Sequence, residues 1–125
     1  MKKILVVEDD STIHNFIKEF LEKENYVVRN AYSGKEALDI LNTERIDLIL
    51  LDLMLPEVSG EEIVKEIRTN IPIIVISAKT SYDSKVNVLL DGANDYITKP
   101  FDKNELLARI QVQLRKNSKN NLKYK

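Results

Sequence analysis

The chain has 125 residues, 43% of them hydrophobic, enough for one domain around a single core without metal or disulfide staples. Its 19 Lys and Arg against 20 Asp and Glu leave a formal net charge of -1, so no overall field draws it to nucleic acid or an anionic membrane. With no cysteine, disulfides, thiolate metal sites and thiol nucleophiles are excluded, which agrees with a reducing compartment. The first apolar stretch stops at acids after Val7, too short for a signal-peptide core or a membrane span, so a soluble, cytoplasmic chain with no membrane contact is expected.

Ile4 to Val7 is a continuous apolar run, the pattern of a strand covered on both faces, and it ends at Glu8-Asp9-Asp10. Ile13, Phe16, Ile17, Phe20 and Leu21 then recur at helical spacing, with Asp10 or Ser11 placed to cap the helix. His14 lies beside that stripe, where a surface or partner-contact role is expected rather than a catalytic one. Tyr26 to Ala31 reads as a second strand, and Ser33-Gly34-Lys35-Glu36 has the spacing of a capping box that opens a second helix. Ile46 to Leu51 supplies a third strand that stops at Asp52, before a loop through Pro56. Ser59 to Glu62 repeats the capping box ahead of Ile63, Val64 and Ile67, and Ile73 to Ile76 is a fourth strand leading to Ser77. Tyr82 to Asp91 reads as a helix stopped by Gly92, and Asp95 to Ile97 as a short fifth strand before Thr98-Lys99-Pro100. Asp102 caps a last helix with an inner stripe of Leu106, Leu107, Ile110 and Leu114. Residues 1–116 are taken as the domain, and 117–125 as a polar tail, frayed or opening an interdomain linker.

Five strands each followed by a helix imply an α/β, doubly wound parallel sheet with helices on both faces. In such sheets functional groups collect beyond the carboxyl ends of the strands, where the strand order reverses. Glu8 and Asp9 end strand one, Asp52 ends strand three, Ser77 ends strand four and Lys99 follows strand five. Taken singly, each has a plainer reading as a turn, cap or loop residue. Together they put three carboxylates at one edge, where mutual repulsion calls for a counter-charge. A hard divalent cation such as Mg²⁺ suits oxygen ligands from Asp9 and Asp52, with Glu8 acting through water, and Lys99 adds a movable positive charge on the far side. A carboxylate can act as nucleophile toward a phosphoryl group while metal and lysine neutralise its oxygens, and Ser77 can donate a hydrogen bond to the product.

These residues resemble the response-regulator receiver family over about residues 2 to 116. Ile4 to Asp10 is similar to the family's first strand and acid pair, and Asp47 to Pro56 to its phosphoacceptor segment. Ile76-Ser77-Ala78 and Gly92 to Phe101 are similar to its switch-hydroxyl and lysine segments. The resemblance implies a CheY-like, flavodoxin-like (βα)5 fold of strand order 2-1-3-4-5. It implies Asp52 as phosphoacceptor, with Lys99 and Ser77 assisting, and Mg²⁺ held by Glu8, Asp9, Asp52 and the Met54 backbone carbonyl. Ser77 and Tyr96 would be the switch residues. The partner implied is a sensor histidine kinase, and the domain would be a signalling switch that assists its own phosphorylation and dephosphorylation, not a turnover enzyme.

Lys103 to Arg115 resembles the OmpR/PhoB branch of transcriptional regulators, which implies a homodimer formed on phosphorylation through the helix 4, strand 5, helix 5 face. Lys85, Val86, Leu89, Asp95, Glu105, Ala108 and Arg109 match that face, whereas Leu90 stands where an acid is often found. The branch also implies a C-terminal winged-helix domain, so DNA would be reached only through an effector domain absent from these residues. A stand-alone single-domain regulator or phosphorelay shuttle is the alternative within the family. An FMN module of the same architecture would meet repulsion from Glu8-Asp9-Asp10, and an aspartate-nucleophile phosphatase would need a second acid that Asp52-Leu53-Met54 lacks.

Overall fold

The computed structural model describes residues 1–67, 70–78 and 82–123. Its elements run β1 (Lys3–Val7), α1 (Ser11–Lys23), β2 (Val27–Ala31), α2 (Gly34–Thr43), β3 (Leu48–Asp52), α3 (Gly60–Glu66), β4 (Ile73–Ser77), α4 (Tyr82–Asp91), β5 (Asp95–Thr98) and α5 (Lys103–Lys123). All strand pairs are parallel and the order is β2-β1-β3-β4-β5, the expected doubly wound sheet.

The unbroken apolar runs follow from burial on both faces. Alternate side chains of each strand enter opposite cores: Leu5, Val7, Ile49, Leu51, Ile73 and Val75 meet α2, α3 and α4 on one side. Ile4, Val6, Leu48, Leu50, Ile74 and Ile76 meet α1 and α5 on the other. The capping signals act as written. Asp10 accepts from Thr12 and Ile13 N–H, Ser33 from Glu36, Ser59 from Glu62, and Asp102 from Asn104 and Glu105. Gly92, at φ 129, ends α4 in a conformation closed to most side chains.

Several boundaries differ from expectation, and three have a visible cause. Tyr26 is outside β2, its N–H turned back to the Leu21 carbonyl after Asn25 reverses the chain at φ 67. β3 starts two residues later than expected, because the Asp47 carboxylate accepts the Lys3 N–H at 2.7 Å and takes residue 47 out of the strand. α5 runs on past residue 116 to Lys123, since neither proline nor glycine interrupts 103–123. Tyr124 and Lys125, the end of the expected tail, lie outside the described residues. No described helix is long and apolar enough to cross a membrane.

His14 is a correction. It is fully buried, in line with Ile17 and Leu21 three and seven residues on, while Phe16, expected in the stripe, is 49% exposed. A step of about 100° per residue puts 14, 17 and 21 on one line and 16 on the far side. The imidazole lies 4.8 Å from the Tyr32 ring, and neither of its nitrogens has a hydrogen-bond partner among the described residues. Two unpaired polar atoms in a core are costly, so His14→Phe, which keeps the ring contact and removes both, is predicted to stabilise the fold by about 1 kcal/mol. Urea unfolding checks this; a comparable loss of stability would mean that a ring nitrogen is satisfied.

Candidate functional site

The register brings the strand-end residues together. Val7 faces Leu51 across the β1–β3 pair, so Glu8 comes level with Asp52 at the seam where the chain order reverses. Both continue the alternation of Val6 and Leu50, and so project to the α1 side of the sheet. Asp52 faces Ile76, and Ser77 faces Thr98, which sets Ser77 and Lys99 one step further out. The register brings Glu8, Asp9, Asp52 and Lys99 to one place.

Glu8 is 3% and Asp52 6% exposed, whereas Asp9 is open to solvent. One oxygen from each can approach the others within 4.8 Å, close enough to share a single cation. The Lys99 ammonium stands between the two buried acids, 2.8 Å from Glu8 Oε1 and 2.8 Å from Asp52 Oδ2. Sequence reasoning put Lys99 on the far side; it is instead the bridge that makes the pair of acids tolerable. The other acceptor oxygen, Asp52 Oδ1, takes the Met54 N–H at 2.9 Å. This contact was missed, although an Asp followed two residues later by a free N–H is the pattern of an Asx turn.

The electrostatics follow from that crowding. Burial pushes Glu8 up to about 7, helped by the neighbouring Asp52 and opposed by the Lys99 hydrogen bond. Burial alone would lower Lys99, but its hydrogen bonds to Asp52 and Glu8 outweigh it and hold the ammonium above the usual lysine range. When all three acids are ionised, one ammonium leaves two negative charges uncompensated. A donor set of three carboxylates, all hard oxygens with part of the cluster open to water, fits Mg²⁺.

Of the other expected residues, Ser77 is fully buried at the end of β4. Tyr96 is 6% exposed, already inward, with the Lys85 ammonium 5.9 Å from its ring centre. Met54 is exposed, on the loop after β3. The expected dimer face does not join this cluster. There, Arg109 binds Asp95 at 2.8 and 3.0 Å within the same chain, with Glu105 at 3.7 Å. Leu89 is 39%, Leu90 79% and Val112 39% exposed around those charges. An apolar hollow of ≈ 400 Å³, lined by Ile13, Phe16, Ala78, Lys99, Pro100 and Phe101, opens beside the acid cluster.

Comparison with known proteins places this arrangement. A family model described as "Response regulator receiver domain" matches residues 4–111. Response regulator ArlR of Staphylococcus saprophyticus is 51% identical over 124 residues, 98% of this chain and 56% of that protein. The chain thus spans about half the length of the curated relatives it matches. Among solved structures, the receiver domain of the Francisella response regulator 1452 superposes with a TM-score of 0.89 at 37% identity, over 94% of this chain and 99% of that one. The receiver domain of a sensor histidine kinase from Pseudomonas aeruginosa, which has a magnesium ion coordinated in its active site cleft, gives a TM-score of 0.83 at 32% identity, over 90% of this chain and 97% of that one. The five-stranded sheet with its acids and lysine at one edge thus has the receiver architecture, and the chain belongs to the response regulator receiver domain family.

Proposed function

We propose that this receiver domain is phosphorylated on Asp52, from a phosphohistidine of a partner sensor histidine kinase, in a reaction that requires Mg²⁺. The observation that carries the reading is a nearly buried carboxylate held at both oxygens, Oδ1 by the Met54 N–H and Oδ2 by Lys99, inside a trio of acids. An Asp52 oxygen forms the new P–O bond as the P–N bond of the donor breaks, and the electron pair returns to the departing imidazole. Glu8, Asp9, Asp52 and the Met54 carbonyl would hold Mg²⁺, which supplies positive charge beside the equatorial oxygens of the transferring group. Lys99 sits on Asp52 and meets the added charge from its own side, and Ser77 donates to a phosphoryl oxygen. The hollow beside Lys99 offers a partner helix apolar surface next to the acceptor.

A phosphoryl group adds about -1.5 to -2 of charge by analogy with other phosphoresidues, and favours the conformer in which Ser77 engages it and Tyr96 stays inward. We read the consequence as homodimerisation through α4, β5 and α5, using Lys85, Val86, Leu89, Asp95, Glu105, Ala108 and Arg109. Transcription would be controlled through a DNA-binding region outside these residues. Its support is that the ArlR relatives carry further chain beyond the aligned part.

Asp52→Asn is predicted to take up no phosphoryl group from acetyl phosphate and Mg²⁺, read by intact-mass spectrometry. Labelling at the wild-type rate would assign the acceptor elsewhere.

Protons and cation compete for Glu8. Because the folded state holds Glu8 protonated up to about 7, its Mg²⁺ affinity is predicted to fall as pH drops from about 8 to 6. The linked effect on stability has a definite sign. Between the ordinary 4.5 and about 7 the folded protein binds a proton that the unfolded chain has released, so the Glu8 contribution falls as pH rises through that window. Calorimetric Mg²⁺ titration and urea unfolding, each compared with Glu8→Gln, should show both slopes in the wild type and not in the variant.

Beryllofluoride, which mimics the phosphoryl group, is predicted to shift the protein toward dimer in sedimentation velocity, and Arg109→Ala to prevent the shift. A monomer in both states at high concentration would remove the dimer from the reading.

A further inference from the structure

The backbone that carries Asp52 is pressed against the first residue of α3. Gly60 is buried, and its N–H donates to the Leu53 carbonyl at 2.9 Å. A Cβ built on Gly60 would overlap Leu53 Cα and lie 2.6 Å from the Asp52 carbonyl oxygen and 3.1 Å from Leu53 C. All three are backbone atoms, so no change of rotamer makes room. Gly60 does not occupy the left-handed region, and only the closeness of the two backbones calls for glycine. The peptide units it touches lead directly to Met54, whose N–H fixes Asp52 Oδ1.

Gly34 offers the contrast. A Cβ there would overlap Ile63 Cδ1 and sit 2.7 Å from Ile63 Cγ1, the mobile end of one core side chain. Its next neighbour would be Val58 Cβ at 3.6 Å. Both glycines admit close packing in the same region, but only Gly60 bears on the acceptor's own backbone.

We infer that Gly60 is a positioning residue for the phosphoacceptor. Its bare Cα lets α3 seat against residues 52 and 53, and that seating keeps the Asp52 carboxylate and the Met54 peptide where a cation and a phosphoryl group are received. The inference rests on the proposed role of Asp52. It predicts that adding one methyl group at position 60 loosens the acceptor geometry, whereas a methyl group at position 34 strains only the core.

The test compares wild type, Gly60→Ala and Gly34→Ala by ¹H–¹⁵N NMR during Mg²⁺ titration and by the rate of labelling with acetyl phosphate. Supporting partners of metal ligands typically change affinity by about ten- to a hundredfold when altered, and a loss of about tenfold is expected for Gly60→Ala. Its Met54 amide signal, set in the wild type by the Asp52 carboxylate, should be displaced, and labelling should slow with it. Gly34→Ala should lose stability but keep the wild-type Mg²⁺ affinity and Met54 signal. If Gly60→Ala does not fold in buffer, all three proteins are measured in trimethylamine N-oxide, which favours the compact state, and the same comparison decides. A Gly60→Ala protein with wild-type affinity and Met54 signal overturns the inference, as does a Gly34→Ala protein affected equally. A wild type that neither binds Mg²⁺ nor labels overturns the proposed phosphorylation of Asp52 and this inference with it.

Discussion

The structure turns on one ion triad: Lys99 between Glu8 and Asp52. Two nearly buried carboxylates side by side are an unstable arrangement unless a cation stands between them, and the effective cost of burying an ion unpaired is several kcal/mol. One ammonium reconciles the two acids but leaves Asp9 and the excess negative charge facing solvent. The cluster therefore combines an internal cation that the fold supplies with negative charge that it leaves uncompensated. Burial raises the affinity of Glu8 for a proton, against the Lys99 hydrogen bond.

A fold can carry such a cluster only if its stability is secured elsewhere. Here it lies in the strands that lead to the acids. Ile4, Leu5, Leu48, Ile49, Leu50, Leu51 and Ile74 are among the largest fully buried side chains, and all belong to the three central strands. Each such side chain contributes about 1.5–3 kcal/mol, so together they offset a penalty of several kcal/mol from the ion cluster. The same strands that supply this stability end in Glu8 and Asp52, so the rigid part of the molecule holds the reacting part. The loop after β3 is fastened by hydrogen bonds, from Gly60 to Leu53 and from Met54 to Asp52.

What the sequence made legible is what depends on neighbours in the chain. Continuous apolar runs announced β1, β3 and β4, and Ser33 and Ser59 with their glutamates announced α2 and α3, because a cap is closed within four residues. The parallel order then placed Asp52 and Lys99 at one edge. What it left illegible depends on rotation and distance. His14 was read beside the stripe when a rotation of the helix puts it at the centre, and Phe16 the reverse. Lys99 was expected across the site, because no local pattern says that an ammonium 91 residues from Glu8 ends between two acids. No local pattern says that one Arg109 nitrogen reaches both oxygens of Asp95, 14 residues away, within the chain. Gly60 passed as the start of a helix, since a close approach of backbones leaves no trace in hydrophobic periodicity.

The two oxygens of Asp52 show how these levels meet. Oδ1 is held by a peptide two residues away, inside the turn that Gly60 fastens to α3. Oδ2 is held by a lysine 47 residues away, a bond that exists only once β1, β3, β4 and β5 are in register. A change of charge at this carboxylate therefore bears on two bonds, one local and one long-range. Through Oδ1 it meets a turn braced against α3. Through Oδ2 it meets Lys99, just beyond β5, the strand that also carries Tyr96 and Asp95. Asp95 is bound to Arg109 of α5, so a shift of β5 strains an ion pair on the outer face. The long-range partner ties the carboxylate to the segment after β5, and the short-range partner ties it to its own turn.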